Sequence, residues 1–289
     1  MKFRTEVAIE SPGWQIRPDD RLLFVGSCFA ASIGQRFADN QFQALVNPYG
    51  VMYNPVSILH TLQQLYGRSE ASDHPFLPDV VFLTLGTNHV YRLKATGEIV
   101  DNCEKRPQRL FQEETLSISD CAGALRQCVE LLLAVNPRVH IVLTVSPIRY
   151  AKYGYHGSQL SKATLLLAAD EVVAAFRAHL CYFPAYEILN DELRDYRFYA
   201  DDMLHPSGQA VEYVWQQLVG HLLSPESHQF LADWRPIRQA LSHKPFHPES
   251  EEYRQFCRRT DELLAAFRKK YPHAPIGTYP RTFEYQSET

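Results

Sequence analysis

The chain has 289 residues, 45% of them hydrophobic and 21% charged, so it holds enough apolar material for one large packed domain and too little charge for a disordered one. A net charge of −4 argues against the broad basic surface that DNA, RNA or an acidic membrane would select. The opening residues MKFRTEVAIESPGW are interrupted by Glu6 and Glu10 where a secretory signal would be apolar, and no run approaches the roughly 18 apolar residues of a membrane span, so a cytoplasmic protein is expected. Six scattered cysteines without a C-x-x-C pair give no reason to expect a disulfide framework, a clustered zinc site or any other metal or cofactor.

In chain order, apolar strands alternate with helical patterns. Arg21 to Val25 reads as a strand ending at Gly26, followed by a helix carrying Ile33 and Phe37. Phe42 to Val46 is strand-like, and Pro55 to Tyr66 is a helix. Val80 to Leu85 is a buried strand stopping at Gly86, Cys121 to Ala134 a helix, and Val139 to Val145 a third strand stopping at Ser146-Pro147. The segment Tyr153-Gly154-Tyr155-His156-Gly157 reads as a loop before a long helix from Ser161 to Leu180, with a short strand over Cys181 to Phe183. Beyond His205 the pattern is helical only: Gly208 to Leu223, 226–242 and Ser250 to Lys270, then a polar tail expected to be extended or loosely packed. The division expected is a domain over 1–225 and a helical extension over 226–289.

Continuous apolar strands separated by helices predict a mostly parallel sheet covered on both faces, with ligands beyond the carboxyl ends of the strands. Three such ends carry polar residues. Gly26-Ser27-Cys28 opens a helix, where free amides favour an anion or thiolate; its plainer alternative is a turn with Ser27 as helix cap. Asn88, after Gly86-Thr87, is able to donate to an oxyanion or simply to hold a turn. Asp202 and His205 are spaced so that the carboxylate can fix the imidazole, although a D-x-x-H alone also fits a loop before a helix.

The order of these three features resembles the SGNH (GDSL-like) hydrolase superfamily, and specifically its GSCFA branch, whose name Gly26-Ser27-Cys28-Phe29-Ala30 spells. Asn47-Pro48-Tyr49-Gly50, Leu85-Gly86-Thr87, Asn102-Cys103, Val145-Ser146-Pro147-Ile148-Arg149, Ser161-Lys162-Ala163 and Asp195-Tyr196-Arg197-Phe198-Tyr199 are similar to further signatures of that branch. The resemblance implies a three-layer α/β/α sandwich of the SGNH/flavodoxin-like kind with C-terminal helices. It implies His205 as base oriented by Asp202, and an oxyanion hole from the amide at the nucleophile turn, the Gly50 amide and the Asn88 side chain. The superfamily's elbow is Gly-Asp-Ser. Laid without a gap it puts Cys28 on the nucleophile, whereas the superfamily's chemistry favours Ser27, so both stand as candidates.

Arg149, just past a strand end, and His89 and His156 are candidate substrate contacts. Lys162, at the start of the long helix, reads as a surface or ion-pair residue. The function expected is hydrolysis of a small or carbohydrate-linked acyl ester. Acyl transfer by the same site, or a catalytically silent glycan- or metabolite-binding module, are the alternatives. No nucleic-acid, membrane or cofactor partner is expected.

Overall fold

A computed structural model describes residues 4–67, 76–103 and 105–276 of the protein. The apolar runs become parallel strands because each is covered on both sides. Leu22 and Phe24 of β1 (Arg21–Gly26) face one apolar cluster, and Leu23 and Val25 face the other. β1 is flanked by β2 (Gln43–Val46) and β3 (Val80–Leu85); β7 (His140–Val145) and β8 (Leu180–Tyr182) complete a sheet ordered β2-β1-β3-β7-β8. All its pairings are parallel. Taken among these five strands alone, the order is 2-1-3-4-5, the doubly wound arrangement whose ligands sit at the carboxyl edge.

Helix α1 (Cys28–Asp39) and α6 (Gly208–Leu222) cover one face, where Phe24, Phe37, Phe82 and Trp215 pack ring against ring. Helices α2 (Pro55–Tyr66), α3 (Ile118–Val135) and α4 (Gly154–Ala175) cover the other with Ile58, Leu125, Cys128 and Leu165. The result is the three-layer α/β/α sandwich expected from the sequence. Helices α7 (Pro225–Leu241) and α8 (Glu251–Lys270) extend the α1 side: Trp234 Nε1 donates to the Asp39 carbonyl at 2.8 Å, and Phe230 packs edge-on to Phe42.

Four details differ from the sequence reading. A small antiparallel sheet, β5-β4-β6 (β4 His89–Leu93, β5 Ile99–Val100, β6 Phe111–Thr115), was not legible as strands, because β5 is two residues long and the polar run Gln112-Glu113-Glu114 breaks any apolar alternation in β6. The loop read at 153–157 is instead the approach to, and first turn of, α4: Gly154 takes a φ of +69°, and the helix runs on from it. It also stops at Ala175, with the Phe176 amide bonded back to Val172 and Val173, ahead of a β8 that starts at Leu180. The expected loose tail is packed as far as it is described. Tyr271 is buried against Phe230 and its hydroxyl donates to Asp233; residues 277–289 lie outside the described set.

Gly26 ends β1 with a φ of +143°, and a Cβ there would stand 2.2 Å from the Thr84 carbonyl oxygen. Backbone strain and a clash with a neighbouring strand act together, so Gly26→Ala is expected to cost about 3 kcal/mol or more in chemical denaturation. Gly123→Ala, inside α3 with nothing within 4 Å of its added Cβ, is the control and is expected to gain up to about 1 kcal/mol.

Candidate active site at the carboxyl edge of the sheet

Parallel register fixes which turns meet. Gly26 pairs with Thr84, and Leu85 with Val145, so the turns after β1, β3 and β7 leave the sheet side by side. Ser27 turns inward at the first of them. It is fully buried; its amide donates to the Thr84 carbonyl at 3.1 Å, its hydroxyl shares a 3.1 Å hydrogen bond with Thr84 Oγ1, and its Oγ caps α1 by accepting from the Phe29 amide. Cys28, the first residue of α1, is half-buried. Burial pushes its thiol up from the ordinary value. The amides of Cys28 and Phe29 and the Lys162 ammonium pull it back down, and the Asp202 carboxylate adds to the rise.

Asp202 and His205 form a closed unit. Asp202 Oδ1 accepts from the amides of Leu204 (2.8 Å) and His205 (2.9 Å), and Oδ2 lies 2.6 Å from His205 Nδ1. Those amide donors, with the imidazole, hold the carboxyl at a pKa of about 2. Met203 takes a positive φ of 57° to make the turn, and the Ala200 amide donates to the His205 carbonyl to close it. Arg149 ties this loop to the end of β7: its amide donates to the Leu204 carbonyl at 3.0 Å and its Nη1 to the Met203 carbonyl at 3.2 Å. With Nδ1 on the carboxylate, the Nε2 edge of His205 is the one left for chemistry.

The remaining sequence candidates are distributed more widely. The Gly50 amide donates to the Asn47 carbonyl at 2.9 Å. Asn88 Nδ2 donates to the Leu116 carbonyl at 2.7 Å, while its Oδ1 is buried without a partner. The Gly50 amide thus closes a turn, and one Nδ2 proton of Asn88 ties the start of β4 to the residue after β6. His89 stacks on Tyr153 at 3.5 Å and lies 3.5 Å from Glu113; with Asn88 it lines a separate cavity of about 740 Å³ between the antiparallel sheet and α4. His156 is exposed on the first turn of α4. Arg149 sits over the rings of Tyr155 (4.2 Å) and Tyr199 (5.2 Å) and lines a cleft of about 250 Å³ with Asn190, Arg194, Tyr196 and Tyr199. Among the described residues it has no carboxylate within ion-pair distance.

Three site residues escaped the sequence reading. Lys162 is not a surface residue: it is 2% exposed, and its Nζ donates to the carbonyls of Gly86 and Ser146. Tyr150 has a buried hydroxyl without a hydrogen-bond partner. Gly86 leaves it room, since a Cβ there would stand 2.5 Å from the Tyr150 oxygen. Tyr53, edge-on to Tyr150, supplies the carbonyl that accepts the amides of Gly86 and Thr87. Lys162 lies inside the Ser161-Lys162-Ala163 signature, and for Tyr53 and Tyr150 the sequence signal was proximity to the Gly50 and Arg149 motifs. Among the described residues no group of three or more His, Cys, Asp or Glu side chains is arranged to hold a metal ion, and no helix is long and apolar enough to cross a membrane.

The GSCFA family model matches residues 21–78 and 77–218, and a model described as the C-terminal domain of GSCFA domain proteins matches 234–284. No curated protein sequence matches the chain. Similar solved structures include a GDSL-like lipase from Bacteroides thetaiotaomicron, at 14% identity and a TM-score of 0.44, covering 72% of this chain and 86% of that one. A carbohydrate esterase family 3 protein from Talaromyces cellulolyticus is 12% identical with a TM-score of 0.41, covering 74% and 99%. An acetyl-xylooligosaccharide esterase from Geobacillus Stearmophilus is 13% identical with a TM-score of 0.43, covering 72% and 96%. Identities of this size carry nothing about substrate or catalytic residues.

Ser27→Ala removes a helix cap and one partner of the Thr84 hydroxyl. It is expected to lower stability by about 1 kcal/mol in denaturant titration while leaving a free thiol at position 28 that still reacts with iodoacetamide.

Proposed function

Because the chain belongs to the GSCFA family, we propose that it is an acyl ester hydrolase acting through Cys28, His205 and Asp202. The observation that carries this reading is the Asp202–His205 unit, whose carboxylate fixes the imidazole and whose loop is tied through Arg149 to the end of β7, two strands from the Cys28 turn at the same edge of the sheet. Burial and inward hydrogen bonding of the Ser27 hydroxyl support Cys28 over Ser27 as nucleophile.

In the proposed reaction His205 Nε2 takes the Cys28 proton as the sulfur attacks the ester carbonyl. The tetrahedral intermediate collapses to a thioester, and the imidazolium returns the proton to the departing alkoxide. Water, deprotonated by the same Nε2, then attacks the thioester carbonyl; collapse expels the thiolate, which regains its proton from the imidazolium as the acid leaves. Asp202 stays ionised down to a pH of about 2 and keeps the imidazole oriented. The Arg149 cleft, with its tyrosines and amides, supports a substrate whose acyl or sugar part carries a carboxylate or another anionic group.

Turnover of an activated acetyl ester is the test. His205→Ala is expected to lower kcat by a factor on the order of 10² to 10⁴, and Cys28→Ala to abolish turnover. Undiminished turnover in either folded variant removes the mechanism. Arg149→Gln is expected to raise KM about tenfold more for an acetylated uronic acid than for a neutral acetylated sugar, while loss of the Met203 contact lowers kcat for both alike. Such a split is the size of one lost charge-assisted contact.

A further inference from the structure

Lys162 departs furthest from what its position in the sequence suggests. It is buried, and its Nζ lies 2.6 Å from the Gly86 carbonyl oxygen and 2.7 Å from that of Ser146, the first carbonyls beyond β3 and β7. An ammonium has three N–H donors. Two are taken by these carbonyls, and among the described residues no acceptor takes the third. The rings of Tyr150 and Tyr186 lie 5.2 and 6.0 Å away. Two carbonyls and two rings are neutral company, and a buried cation held only by neutral groups is costly unless a negative charge forms nearby.

Register identifies that charge. Gly26 pairs with Thr84 on the neighbouring strand, and Cys28 and Gly86 each follow two residues later. The strands that carry the thiol turn and the carbonyl anchoring Lys162 are therefore neighbours, about one strand spacing (~4.8 Å) apart where Gly26 faces Thr84. Each group acts on the other: the ammonium draws the thiol down, and the thiolate draws the amine up against a burial that lowers Lys162 to about 7. The other titratable groups facing the pair are Asp202, Tyr53 and Tyr150 around Cys28, and Arg149, Tyr155 and Tyr186 around the small cleft that Lys162 lines.

We infer that Lys162 is the counter-charge of the Cys28 thiolate: two strand-end carbonyls hold its ammonium and leave the third N–H for the charge that forms on sulfur when His205 takes the thiol proton. Lys162 is then a positioning residue that acts through Cys28. The inference rests on Cys28 as the nucleophile of the proposed hydrolase.

The test follows carbamidomethylation of Cys28 by iodoacetamide, read by peptide mass spectrometry from about pH 5 to 10, in the full chain and in Lys162→Met. Loss of the counter-charge is expected to move the alkylation profile up by about one pH unit or more, which slows labelling near pH 7 about tenfold. A superimposable profile in the folded variant overturns the inference. Should Lys162→Met fail to fold, the unmutated protein decides through reciprocal coupling. Blocking Cys28 with iodoacetamide is expected to move the Lys162 titration, followed by NMR of carbon-13-labelled lysine, to lower pH. An unmoved titration overturns the pair. Neither measurement uses an ester, so a Lys162-dependent profile in a protein that turns over no ester upholds the pair and removes only the hydrolase reading.

Discussion

The parallel pairing of β1, β3 and β7 is the constraint on which the site depends. Strand partners in fixed register end at the same edge, so the turns carrying Cys28, Gly86 and Ser146 emerge together whatever the loops beyond them do. The register is enforced by burial on both faces. A slip of one residue would exchange Leu22 and Phe24 with Leu23 and Val25 between two clusters shaped for different side chains. Gly26 lets β1 close onto Thr84 at that edge, where no side chain fits.

On this frame the polar groups divide into those that hold the edge and those left free to act. Ser27, Thr84 and the Gly50 amide spend their hydrogen bonds on the turns themselves, and the Asn88 side-chain amide bonds across to the Leu116 carbonyl. The half-buried Cys28 thiol, the Nε2 edge of His205 and the third proton of Lys162 are not spent in this way. A buried thiol is hard to ionise, and burial indeed raises Cys28; two helix amides and one buried cation oppose that rise. The Arg149 backbone and guanidinium both bond the Asp202–His205 loop, so one residue joins the imidazole to the sheet and also faces the neighbouring cleft.

Much of this was legible before the structure because it is local or topological. The strand ends follow from apolar runs stopped by glycine or proline, and the Asp202–His205 contact spans three residues. What escaped depended on burial and distance. Lys162 read as solvated because a lysine is rarely buried, although it shares the inward stripe of α4 with Leu165, Ala169 and Val172. Tyr150 and Tyr53 meet only after folding, 97 positions apart in sequence, around a Gly86 that makes room for them. The oxyanion role of Gly50 came from resemblance and that of Asn88 from its strand-end position as well; in the fold the Gly50 amide bonds Asn47 and one Asn88 amide proton bonds Leu116.

The central claim is that a thiol at a strand-capping turn becomes acylated with the help of an imidazole from a distant loop. Brief exposure to an activated acetyl ester, followed by acid quench, intact-mass measurement and peptide mapping, tests it directly. The account predicts one acetyl group per chain, carried by Cys28 as a hydroxylamine-labile thioester and lost from the His205→Ala protein. Acetyl on Ser27, or equal labelling of Cys28 with and without the imidazole, would contradict it.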